Sequence, residues 1–124
     1  MIRLTQIIFL FLFGAAISCD NSDKTFNEGA MLYEKHCENC HMQDGTGLEA
    51  LYPPLANSDM LQNMGATLAC VIVNGLEGPI KVNGRDFDNK MLPITGLSTV
   101  EVTNVINYVN NACGNKRAFI TLQE

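Results

Sequence analysis

The stretch Cys37-Glu38-Asn39-Cys40-His41 constrains this chain more than any other feature. Two thiols three positions apart, followed directly by a histidine, form the attachment sequence for a c-type haem. On one helical turn both sulfurs reach vinyl groups of the same porphyrin, and the next residue offers an imidazole to the iron. Two other chemistries use Cys-x-x-Cys. A redox dithiol sits at a strand-to-helix junction and needs no histidine after it. Half a zinc site needs a second ligand pair, and the one other candidate close by is His36, adjacent to Cys37.

A single modest domain is what 124 residues with 47% hydrophobic content can support. Part of that content lies outside any core. Residues 1–18 hold one charged side chain, Arg3, then the apolar run Ile7 to Ile17 and the small Ser18. This reads as a secretion signal, and the run is short for a bilayer span. Cys19 follows directly, and its setting is similar to the lipobox of bacterial lipoproteins, in which that cysteine becomes the lipidated first residue. The match is imperfect, with Ala16 and Ile17 at positions where Leu and a small residue are usual. Cleavage nearby, with Cys19 as a spare thiol, is the alternative. Residues 19–25 then form a polar tether, which spans on the order of 13 Å.

Loss of the signal removes Arg3, so 8 Lys+Arg become 7 against 13 Asp+Glu, a net charge of −6. Such a balance disfavours nucleic acid and suits redox protein partners with basic docking surfaces.

Helical periodicity starts at Thr25, where Phe26, Ala30, Tyr33 and Cys37 fall on one stripe that ends at the thiols. Asp44-Gly45-Thr46-Gly47 is a loop by turn chemistry. Tyr52-Pro53-Pro54-Leu55 follows, and paired prolines hold the chain extended with fixed carbonyls. A fixed carbonyl is what the second nitrogen of a ligating imidazole requires. A helical region opens over Asn57 to Leu61, and another runs from Thr67 to Asn74 before Gly75. Asn83-Gly84 between short alternating runs predicts a hairpin.

The iron of a haem has a second face, which suits a thioether. Six methionines are present. Met1 lies in the signal, Met31 and Met42 lie close to the attachment stretch, and Met60 and Met64 fall on a helix where packing is the usual role. Met91, in the loop Met91-Leu92-Pro93 and fifty residues beyond His41, is the candidate. Leu97 to Gly114 predicts the last helix, with Ser98 and Glu101 as a capping box, Leu97 and Val102 as a staple and Gly114 as C-cap. Residues 116–124 form a tail without a signal of its own.

From Phe26 to Asn115 the chain resembles a small bacterial class I cytochrome c domain, over the span 26–115. Cys37 and Cys40 match the thioether links, His41 the proximal ligand and Met91-Leu92-Pro93 the distal motif. Tyr52-Pro53-Pro54-Leu55 matches the proline segment, which makes Pro53 the carbonyl partner of His41. Gly29 and Tyr33 match first-helix positions that cross the last helix at Val105 and Tyr108. The resemblance implies an all-α fold, a helical shell around one covalently bound haem c, with a small β-hairpin excursion. The implied role is an electron carrier, expected to be monomeric; the leader and the lipobox-like setting of Cys19 add export and a lipid anchor at a bacterial membrane. The stretch Gly75 to Asn89 is similar to versions that serve periplasmic oxidases, dehydrogenases and nitrite reductases, so a dedicated subunit of a larger complex is the alternative. An enzyme or gas-binding haem protein would need Met91 absent or displaceable.

With Cys19, Cys37 and Cys40 so used, Cys70 and Cys113 remain. In an oxidising compartment they form a disulfide candidate, closing a loop of about 43 residues for roughly 4 kcal/mol in the chain-entropy model. Two buried thiols are the alternative.

Overall fold

The structure is a computed structural model, and it describes residues 21–122. Cys19 and the signal segment lie outside the described residues. Helix α1 spans Asn21–His36 and is followed by the single turn α2, Glu38–His41. Then come α3 (Asp59–Met64), α4 (Thr67–Asn74), strands β1 (Ile80–Val82) and β2 (Arg85–Phe87), and α5 (Thr99–Asn111).

The main scaffold is the crossing of α1 and α5. Gly29 makes it close: a Cβ there would lie 2.3 Å from the Asn104 carbonyl oxygen and 2.7 Å from Tyr108 Cβ. On either side of Gly29 along α1, Phe26 and Tyr33 stack on Tyr108, with ring centroids 5.0 and 5.2 Å apart. Tilted pairs at this range add to simple burial. Tyr33, Cys37, Val102, Val105, Ile106 and Val109 are buried in the core, which Leu61, Leu68 and Ile72 extend. Burial of each such aliphatic side chain stabilises by about 1.5–3 kcal/mol.

Local chemistry sets the element ends. Ser58 and Ser98 cap α3 and α5 through their hydroxyls, and Glu101 returns the bond to complete the box. The hairpin pairs Ile80 with Phe87 and Val82 with Arg85. Asn83 and Gly84 take positive φ of 49° and 78°, as a two-residue hairpin turn requires. Asp59 and Asn83 exchange backbone-to-side-chain bonds of 2.8 and 3.0 Å, which fasten the turn to the start of α3.

Several boundaries differ from expectation. Helix α1 is already present at Asn21, the first described residue, four residues before the expected start at Thr25 and inside the span assigned to the tether. Helix α5 is capped at Ala112, and Gly114 serves the turn that follows. The tail is a packed strap. Asn107 holds Ile120 through both its backbone groups, at 2.7 and 3.1 Å, and Arg117 donates to the Leu61 carbonyl. Asparagines inside a helix satisfied a partner that comes later in the chain, which periodicity does not reveal.

The bridge between Cys70 and Cys113 is not formed, and both are free thiols. Cys70 is exposed on α4. Cys113 sits in a left-handed turn with its Sγ packed on Gly45, 2.7 Å from where a Cβ would stand. The two sulfurs thus have different surroundings, one exposed and one packed on a loop glycine.

Candidate functional site

An open, largely apolar cleft of about 660 Å³, counting the solvent at its mouth, lies between α3, α4, the hairpin and α5. Cys37, His41, Pro53 and Met91 all line it. Four residues chosen from three separate stretches of sequence therefore meet at one place.

His41 ends α2, and its Nδ1 lies 3.0 Å from the Pro53 carbonyl oxygen. A carbonyl can only accept, so Nδ1 carries the proton and Nε2 keeps its lone pair. Burial lowers the pKa of His41, while the bond to Pro53 raises it to a lesser degree. The result is a neutral imidazole of one tautomer, the form a metal needs. Gly47 makes the arrangement fit. Its N–H donates to the His41 carbonyl at 3.0 Å, and a Cβ would stand 2.4 Å from the Tyr52 oxygen and 2.7 Å from the Pro53 oxygen.

Met91 is held by its backbone. It exchanges two hydrogen bonds with Leu76, of 2.9 and 3.0 Å, in an isolated antiparallel bridge. Gly75 permits that approach, because a Cβ there would meet the Met91 oxygen at 2.4 Å. Met60 and Met64 also line the cleft from α3. Sequence spacing made them packing residues; only the tertiary arrangement shows that they pack toward this cavity.

Burial pushes the Cys37 thiol up to about 11, with the neighbouring Cys40 adding to the rise. A redox dithiol depends on the opposite shift. Cys40 is half-buried one turn on, its N–H on the Cys37 carbonyl at 3.1 Å, and it does not form part of the cleft wall. No group of three or more His, Cys, Asp or Glu side chains that could hold a metal ion occurs among the described residues. Among those residues the zinc alternative has no second ligand pair.

The donor set fits a haem. One free imidazole nitrogen, a thioether, the Cys37 thiol and apolar walls line one cleft, with Cys40 one turn from Cys37. Among the described residues no helix is long and apolar enough to cross a membrane.

Comparison with known proteins agrees with this geometry. A cytochrome c-552 of Thermus thermophilus is 30% identical over 119 residues, covering 93% of this chain and 75% of the relative. A second cytochrome c-552 from that organism is 32% identical over 94 residues, 73% of this chain and 71% of the relative. The cytochrome c subunit of a quinone alcohol dehydrogenase from Gluconobacter oxydans is 33% identical over 96 residues, which is 72% of this chain and 19% of that protein. Residues 24–109 match the family described as cytochrome c oxidase, cbb3-type, subunit III. With its attachment sequence, an oriented histidine and a methionine on one apolar cleft, the chain belongs to this family of mono-haem cytochrome c domains.

Proposed function

We propose that the chain is an exported electron carrier, with Cys37 and Cys40 as the thioether links and His41 and Met91 as the iron ligands. The observation that carries this assignment is the meeting of His41 and Met91 on one cleft, with His41 Nδ1 already engaged by Pro53. Haem c held there supplies a reversible one-electron Fe(III)/Fe(II) couple.

The protein's own residues set the conditions. Pro53 holds the imidazole in one tautomer, so Nε2 stays available at every stage of the cycle. The Leu76 bridge holds Met91 in place at little further entropic cost. Leu61, Leu68, Ile72, Val105 and Val109 wall the cleft with apolar surface, which would exclude water once haem filled it. A dry, thioether-ligated site disfavours the extra positive charge of ferric iron and raises the potential. If His41 and Met91 both held the haem iron, no position would remain on it for a substrate, and the group would supply electron transfer rather than catalysis.

Cys19 carries the lipid anchor in this reading, and the acidic surface selects partners with basic docking surfaces. A second reading, a dedicated subunit of a respiratory or dehydrogenase complex, is supported by likeness to the quinone alcohol dehydrogenase subunit. The redox chemistry is the same, and co-purification with a larger complex distinguishes the two.

The test is a redox-difference spectrum and potentiometric titration of protein matured in a host able to attach haem. A c-type spectrum, a weak long-wavelength band in the ferric state and no carbon monoxide binding are expected. Met91→Ala loses that band, binds carbon monoxide and has a lower potential. A colourless or zinc-loaded parent protein overturns the assignment. Cys19→Ser moves the protein from the membrane to the soluble fraction if the anchor is there.

A further inference from the structure

Three of the exposed large apolar side chains collect on the two loops that serve the cleft. Leu48 and Leu51 lie between His41 and Pro53, and Leu92 follows Met91. They are 38%, 52% and 70% exposed, and Leu92 is the most exposed large apolar side chain among the described residues.

These loops are joined and stiff. Asn89 Nδ2 donates to the Leu51 carbonyl at 3.1 Å, which ties the methionine loop to the proline loop. Leu48 is bridged to Tyr52 through backbone bonds of 3.1 and 3.3 Å, and Met91 to Leu76 as described. A flexible loop could fold its leucines inward. Backbones pinned in this way hold them against water, which costs about 25 cal/mol per Å² left exposed. Apolar surface held out by a rigid frame marks a contact site.

Charge selects the occupant. Glu49 stands beside Leu48, and Asp88 beside Asn89, and neither has an ion-pair partner among the described residues. Lys90 is the cation of these loops, and Glu77 neutralises it at 2.8 Å. The joined loops therefore carry exposed leucines together with exposed acidic residues that no cation among the described residues balances. A second copy of this chain would bring acid against acid.

We propose that Leu48, Leu51 and Leu92 form the docking face for a redox protein whose own apolar patch is ringed by lysine and arginine. This rests on the haem occupying the adjoining cleft, since the face is carried by the loops that supply Pro53 and Met91. Brief contact through a small patch suits an electron carrier, which must dissociate after each transfer.

The experiment compares holoprotein with the double variant Leu51→Ser, Leu92→Ser in stopped flow. A strongly basic mono-haem cytochrome c is the protein probe, and hexaammineruthenium(III) is the small one. Both holoproteins should share one spectrum and one potential. The rate constant with the basic cytochrome should fall about tenfold in the variant and stay unchanged with the ruthenium complex. For the parent it should fall as ionic strength rises, the mark of attraction between opposite charges. Glu49→Lys with Asp88→Lys should reverse that salt dependence. An equal rate in parent and variant, a parent rate that rises with salt, or self-association through this face overturns the docking proposal while the spectrum still supports an electron carrier. A parent without a haem spectrum overturns both.

Discussion

His41 Nδ1 and the Pro53 carbonyl oxygen lie 3.0 Å apart, and Gly47 is the residue that lets them meet. Its φ of 73° and the Tyr52 and Pro53 backbone against its Cα leave no room for a methyl group. Gly47→Ala is expected to cost about 2–3 kcal/mol, from left-handed strain and displaced carbonyls. Thermal denaturation of the holoprotein measures the cost. Loosening of the imidazole should also shift the potential, which a remote packing defect would leave alone.

Gly29 tests the main scaffold separately. A methyl group there would strike the Asn104 carbonyl and Tyr108 Cβ, and neither is the free end of a flexible side chain. Gly29→Ala should destabilise by about 3 kcal/mol through forced separation of α1 and α5. Urea midpoints of parent and variant give the value, and an unchanged midpoint would contradict the close crossing.

The capping box of α5 predicts a pH dependence. Hydrogen bonds from the Ser98 backbone and hydroxyl hold Glu101 below its ordinary value of 4.5. A carboxyl with a depressed folded value contributes stability that is fully present above the unfolded value. That contribution is lost as pH falls through the folded value. The gap in melting temperature between parent and Glu101→Ala should be steady near neutrality and narrow below about pH 4.5. A gap that does not change on acidification would rule out the charged cap.

Two thiols, Cys70 and Cys113, should titrate in the unfolded, unreduced holoprotein once Cys37 and Cys40 carry haem and Cys19 carries lipid. Cys70 is exposed and should alkylate first in the native state. Cys113 is half-buried, and desolvation together with Asp44 raises its pKa, so its thiolate is scarcer and it should react more slowly. A mass lower by two hydrogens with no alkylation would restore the disulfide that the cysteine count suggested.

Local rules carried much of the site. The attachment sequence, the capping box at Ser98 and Glu101, and the Asn83-Gly84 turn are short-range chemistry, and each occurs where its residues stand. The resemblance to cytochrome c domains carried Pro53 and the Gly29 crossing, and both contacts are present in the structure. Each involves backbone that a nearby residue type must accommodate, so the residue types leave a trace in the chain.

Long-range partnerships left no such trace. Asn107 with Ile120, Asn89 with Leu51, and Arg117 with Leu61 join residues whose types are ordinary for a surface or a tail. The same holds for Cys70 and Cys113, which parity made a pair and the packing kept as separate free thiols. The sequence by itself determined the chemistry of the centre, because thioether attachment and imidazole ligation need particular atoms at particular spacings. Tertiary structure alone decided which apolar residues became walls and which stayed outside as a patch. Hydrophobic burial has no direction of its own and is assigned by how the helices and loops close.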